Sequence, residues 1–299
     1  MSSLERITGS ILGGAIGDAM AGPYEGATRP VTIDHEGEWR LSDDTQLTLA
    51  TCEAISNSHQ VDPAIISSTF VQWYRNSLLT GLGASTSKAL SELNVGGHWA
   101  LVGRKGEMAA GNGAAMRIAP LAFCLNPQEP TGRQVIRDVC RITHHNEEAY
   151  AGALAILLAI RAAYLGTWVG EANLIRLIIP HLPDSSVRDR LMEFDELRPG
   201  VTLENAATQF GSSGYVVESV PLALLGAQQI TELGFEELIE SIVRSGGDTD
   251  TIASMAGQVC GTILGKTGLP KDMLRRLPSK KRIISIAESF ANTVMELSP

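Results

Sequence analysis

Apolar and small residues recur at helical spacing along nearly the whole chain, and no stretch shows sustained strand alternation between turn signals. This pattern restricts the chain to packed helices. From Leu4 to Ala21, Ile7, Ile11, Ala15 and Ala19 return once per turn, while Gly9, Gly13 and Gly17 share a face suited to close helix packing. Further helices are expected over Thr45 to Ile55, from Asp62-Pro63 onward, Ala114 to Phe123, Gln134 to Ile142 and Glu147 to Tyr164. Later candidates are Glu171 to His181, Val187 to Phe194, Ser219 to Gln229, Phe235 to Val243, Thr251 to Leu264 and Arg282 to Leu297. The segment Glu147 to Tyr164 is apolar almost all round. It reads as a central buried helix rather than a membrane span, given its length and flanking charges.

The breaks at Gly22-Pro23, Thr28 to Glu38, Gly96 to Gly113, Asn126 to Gly132 and Arg198 to Gly200 lack the composition of an interdomain linker. One all-α domain over residues 1–299 is therefore expected. At 44% hydrophobic and 19% charged, the chain is globular. Its net charge of −9 disfavours broad nucleic-acid binding, though a local cation could still draw in a small anionic substrate. Cys52, Cys124, Cys140 and Cys260 form no Cys-x-x-Cys pair and read as reduced core thiols. Residues 1–20 lack signal-peptide features, so a cytoplasmic location, with no membrane partner, is the expectation.

Two acidic helix entrances stand out. Ser42-Asp43-Asp44-Thr45 precedes one helix, and Ser245-Gly246-Gly247-Asp248-Thr249-Asp250-Thr251 precedes another. Capping accounts for one oxygen at each entrance, yet each offers several. Like charges so close are costly unless a cation stands between them. Oxygen donors of this kind suit Mg²⁺, Mn²⁺ or Ca²⁺ rather than zinc.

The ordered pair Ser-Asp-Asp-Thr and Gly-Gly-Asp-Thr-Asp-Thr resembles the ADP-ribosylglycohydrolase family. So do Gly13 to Ala19 followed by Glu25, Gly111-Asn112-Gly113 with Ala114 to Arg117, Thr143-His144, and Gly214 to Ser219. The likeness runs from about residue 5 to residue 265. It implies a multi-helix bundle with orthogonal packing around a central cleft holding two Mg²⁺ or Mn²⁺ ions. Ser42, Asp43 and Asp44 match ligands of one ion. Asp248, Asp250 and Thr251 match those around the second, with Asp250 as the bridge. Gly111, Asn112, Gly113 and His144 match positions lining the ADP-ribose cleft, and Tyr215 falls where a ring can pack on the substrate.

The implied activity is glycosidic hydrolysis that frees ADP-ribose from a protein side chain. Asp43 or Asp44 would orient or deprotonate the attacking water, and Glu25 would assist the leaving group. Gly106 to Ala110 departs from the small polar and aromatic residues of serine-type members, which favours an arginine linkage. ADP-ribosyl-serine, O-acetyl-ADP-ribose and a non-catalytic ADP-ribose-binding or toxin-blocking role are the alternatives. A monomer is expected. Taken singly, the same residues have plainer readings. Glu25 reads as a solvated carboxylate, Asp18 as a structural group near the end of the first helix, and Arg117 as a tie to a loop carboxylate. The four tryptophans read as packing residues.

Overall fold

Helices account for most of the computed structural model, which describes residues 1–297. Fifteen α-helices follow one another among the described residues. They are α1 (Ser3–Ala21), α2 (Asp43–Ser58), α3 (Pro63–Arg75), α4 (Ala84–Asn94), α5 (Ala119–Cys124), α6 (Pro130–Arg141), α7 (Glu147–Leu165) and α8 (Leu174–Ile178). Next come α9 (Ser186–Asp195), α10 (Leu203–Phe210), α11 (Val216–Gln228), α12 (Ile230–Ser245), α13 (Thr249–Gly268), α14 (Lys271–Arg276) and α15 (Lys280–Leu297). Among the described residues the extended structure is two residue pairs in parallel register, β1 (Arg104–Lys105) and β2 (His144–His145), and an isolated antiparallel bridge between Gly111 and Tyr215.

The glycine stripe of α1 meets α13 directly. A Cβ on Gly13 would lie 2.3 Å from the Gly257 carbonyl oxygen, and one on Gly257 would lie 2.3 Å from that of Gly13. Gly9 faces Gly261, and Gly17 faces the Ala253 carbonyl at 2.2 Å in the same sense. The pairing descends on α13 as it rises on α1, so the two helices run antiparallel. The C-terminal end of α1 therefore lies beside the N-terminal end of α13. Ser10 donates to the Gln258 carbonyl at 3.0 Å and Thr249 to the Ala21 carbonyl at 3.0 Å, tying the pair along its length.

Around this pair the apolar side chains form one continuous cluster. α7 is buried from Ala149 to Ile160 and packs on α13, α11, α5 and α6. By length and composition it could cross a membrane, but 78% of its most apolar window is buried inside the protein. Asn146 caps its start by accepting from Glu148 and Ala149. α15 closes the other side of α1 and packs on α2, burying Phe290 completely. Each fully buried Leu, Ile or Phe contributes roughly 1.5–3 kcal/mol.

Several expected boundaries move. Ala114 to Phe123 is not one helix: only Ala119–Cys124 is α-helical, preceded by a 3₁₀ turn at Asn112–Ala114. The segment 111–118 is apolar because it is buried, and turns because it lines a cleft. Glu171 to His181 shortens to Leu174–Ile178 with a 3₁₀ turn beyond it. α4, α10 and α14 were not expected. They are short or rich in polar residues, so their periodicity is faint. Pro221 lies inside α11 without ending it, close to the helix's first turn.

If the backbone contact between α1 and α13 governs the fold, Gly13→Ala must push two helices apart. The substitution should lower the unfolding free energy by about 1–3 kcal/mol or more. Guanidinium denaturation reads this directly, and an unchanged midpoint would show that the helices separate freely.

Candidate metal centre

Asp18 is the hub. It occupies the last turn of α1, is fully buried, and accepts four hydrogen bonds from the start of α2. Ser42 donates from its backbone N–H at 3.1 Å and its hydroxyl at 2.7 Å, and Thr45 donates at 3.2 and 2.5 Å respectively. These bonds dock α2 on α1. The Ser42 hydroxyl oxygen also accepts from the Asp44 N–H, capping α2 in the usual way.

Asp43 and Asp44 follow in the first turn of α2, both buried. Asp44 Oδ2 has Ser42 and Thr251 hydroxyls at 3.0 and 3.3 Å. Its Oδ1 is enclosed and has no hydrogen-bond partner among the described residues. Opposite, Gly246 and Gly247 take positive φ at the turn into α13. The Asp248 N–H donates to Ser212 O at 2.7 Å, and Asn112 donates to Asp248 Oδ2 at 2.7 Å. Asp248 flanks α13 without capping it with its side chain. Capping thus explains none of its carboxylate chemistry.

The two entrances converge, as the family resemblance implies. Oxygens of Asp18, Asp44 and Asp250 lie within 4.8 Å of one another, and so do those of Glu25, Asp248 and Asp250. Asp250 belongs to both groups. Burial, followed by the charge of neighbouring acids, pushes up the proton affinities of Asp43, Asp44, Asp250 and Glu25. Burial and then Asp18 raise Asp43 to about 8. Burial and then Asp248 raise Asp250 to about 9. Asp44 is also pushed well up, by burial and then Asp250. Asp18 reaches only about 6, because its hydrogen bonds oppose the burial. Glu25 is raised by burial and then by Asp248.

An unpaired buried carboxylate oxygen among mutually repelling acids fits a divalent cation. The donors are all oxygens, as Mg²⁺, Mn²⁺ or Ca²⁺ prefers. Asp44, Asp250 and Asp18 on one side, and Glu25, Asp248 and Asp250 on the other, are the residues able to hold one.

Asp43, Asp44, Asp248 and Asp250 line the floor of a cleft of about 480 Å³, with Asp18 buried outside its lining. Gly111, Asn112, Gly113 and His144 line one wall, with Ser85 and Thr86 of α4 facing in. Glu25 and Gly26 stand at the mouth, where the Gly26 N–H donates to Gly247 O at 2.8 Å. Their loop is strapped down by Arg276 of α14, which donates to His35 O and Gly37 O and lies over the Trp39 ring. Tyr215 is 42% exposed and lies outside the lining residues, at the start of α11. Arg117, expected to tie down a carboxylate, instead bonds the Val139 carbonyl and the Thr143 hydroxyl.

A family model described as ADP-ribosylglycohydrolase matches residues 1–298. The chain belongs to the ADP-ribosylglycohydrolase family. It is 26% identical to an ADP-ribosylarginine hydrolase, Tri1, of Serratia proteamaculans over 96% of this chain and 79% of that one. It is also 26% identical to the ADP-ribosylhydrolase ARH3 of Xenopus tropicalis, covering 90% of each. A solved structure titled as an ADP-ribosylglycohydrolase-related protein complex superposes with a TM-score of 0.68 at 25% identity, over 98% of this chain and 99% of that one. This ADP-ribosylglycohydrolase is accordingly an enzyme that hydrolyses a glycosidic bond to ADP-ribose. Its all-α bundle carries a cluster of acids able to bind metal.

Sequence reasoning left Asp18 outside the cluster. A signal was present: one carboxylate sits in an otherwise apolar helix, and a buried charge must be hydrogen-bonded, paired or coordinated. Ser85 and Thr86 gave no such signal, because polar residues on a short helix usually face water.

The cluster sets the pH dependence of stability. A carboxyl whose folded affinity for protons exceeds its unfolded value of 3.8 stabilises the fold while protonated, and loses that contribution as pH rises. With chelator present, melting temperature should therefore fall from about pH 4 to about pH 9, the window spanned by Asp43 and Asp250. Mg²⁺ or Mn²⁺ should raise it and flatten the slope. Thermal melts across pH with and without cation check both effects, and a cation-independent curve would count against the metal assignment.

Proposed function

We propose that this ADP-ribosylglycohydrolase removes ADP-ribose from ADP-ribosyl-arginine in modified proteins, with two Mg²⁺ or Mn²⁺ ions in the cleft. The observation that carries the two-ion reading is Asp250, shared between the two groups of closely spaced carboxylates. The arginine linkage draws support from the ADP-ribosylarginine hydrolases among its relatives.

Bound cations would neutralise the carboxylates, clamp the distal ribose hydroxyls and acidify water. The protein's own groups supply the rest. Gly111, Asn112, Gly113 and His144 form the wall against which the ADP-ribose lies. Asn112 also holds Asp248 in place and bonds Ser219 at 3.2 Å. Asp43 or Asp44 takes a proton from water as its oxygen bonds to the anomeric carbon of the distal ribose. The glycosidic carbon–nitrogen bond breaks in the same step. Glu25, whose proton affinity is raised by burial and then by Asp248, delivers a proton to the departing nitrogen. The products are free ADP-ribose and unmodified arginine. We assign this chemistry to a monomer in the cytoplasm.

Release of free ADP-ribose should be measured from ADP-ribosyl-arginine and ADP-ribosyl-serine peptides and from O-acetyl-ADP-ribose, with cation and after chelation. Cation-dependent release from the arginine peptide is the expected outcome. Release from one of the others alone would overturn the linkage, and ADP-ribose binding without turnover would indicate a binder.

Asp250→Ala should abolish turnover, and Glu25→Gln should lower kcat by about 10²–10⁴-fold with little change in KM. Near-normal kcat in Asp250→Ala would overturn the two-ion arrangement.

A further inference from the structure

Arg117 is sealed in the core with no exposed surface. Its guanidinium lies 4.9 Å from the centre of the Phe70 ring. One terminal nitrogen donates to Val139 O at 3.2 Å and to Thr143 Oγ1 at 2.8 Å. Among the described residues, Nε and the other terminal nitrogen have no hydrogen-bond partner, and no carboxylate is hydrogen-bonded to the guanidinium. Burial lowers its proton affinity only to about 10, so it remains a cation at neutral pH. A lone buried cation is costly, and structural convenience would favour an apolar residue there.

Thr143 gives that cost a purpose. Its hydroxyl spends one lone pair on Arg117, and the oxygen lies 2.8 Å from His144 Nδ1. His144 Nδ1 is the one atom among the described residues able to accept this hydroxyl's proton. With Nδ1–H as donor, the buried hydroxyl proton would have no acceptor among the described residues; with the hydroxyl as donor, both groups are satisfied. The ring's own proton then sits on Nε2.

Nε2 lies on the cleft side. A Cβ added at Gly111 would be 3.3 Å from Nε2, and one at Gly113 would be 2.8 Å from the adjacent Cε1. The wall is glycine where the ring needs room. His145, the next residue, is only partly buried, because the extended backbone of β2 sends the two rings to opposite sides.

We propose that Arg117 and Thr143 are positioning residues that hold His144 in its Nε2–H form, making it a fixed hydrogen-bond donor to a diphosphate or ribose oxygen of the substrate. Only the identity of that acceptor rests on the ADP-ribosyl reading; the relay rests on the protein's own bonds. Burial, then the charge of Arg117, pushes the imidazole down to about 3, which agrees with a neutral donor rather than an acid–base group. The two effects act together: the cation that disfavours imidazolium also orients the hydroxyl that selects the tautomer.

The test uses the full-length, Mg²⁺-loaded protein. ¹⁵N spectra of the His144 ring report which nitrogen carries the proton, and calorimetry with ADP-ribose reports binding. Wild type should show bare Nδ1 and protonated Nε2, a result that needs no variant. Thr143→Val keeps the shape and removes the hydroxyl. It should populate the Nδ1–H form and weaken ADP-ribose binding roughly tenfold, the worth of about one hydrogen bond. Thr143→Ser should restore both. Wild-type Nδ1–H, or a Thr143→Val protein with unchanged tautomer or unchanged affinity, overturns the proposal. A wild type that shows Nε2–H and binds no ADP-ribose retains the relay and overturns the substrate reading instead.

Discussion

The backbone contact between α1 and α13 is the constraint on which the rest depends. Glycine on both helices lets carbonyl oxygens approach where any side chain would collide. Because the helices are antiparallel, Asp18 at the end of one is delivered to Asp248 and Asp250 at the start of the other. α2 then docks on Asp18 through Ser42 and Thr45, adding Asp43 and Asp44. Residues more than two hundred positions apart become neighbours through one helix pair and one set of hydrogen bonds.

That assembly concentrates like charge in a buried place. Packing forces must hold it, since burial and mutual repulsion both favour protonation of Asp43, Asp44 and Asp250. The apolar cluster around α7 and α13 supplies this support. The arrangement exchanges stability for a site that attracts cations, as functional sites commonly do. Asp18 moderates the conflict, because four donors from α2 stabilise its charged form.

The cleft wall follows another logic. Gly111 to Ile118 leaves regular helix to carry Asn112 toward Asp248, while the neighbouring backbone joins Gly214 and Val216. Here local composition misled: an apolar run at helical spacing is a buried turn. His144 behaves likewise. His144 and His145 are adjacent in sequence, yet an extended backbone sends their rings apart and a buried arginine fixes one.

The helical class, the buried character of α7, the glycine stripe and the two acidic entrances were all legible in the sequence, because each is a local pattern with a physical reason. Periodicity reports which face is buried, and oxygens in excess of capping report chemistry. Local pattern cannot report which distant surfaces meet. The convergence of the two entrances, the inclusion of Asp18, the facing of Ser85 and Thr86 into the cleft and the coupling of Arg117 to His144 were decided by tertiary structure. Each depends on long-range packing, and packing partners leave no spacing in the chain to read.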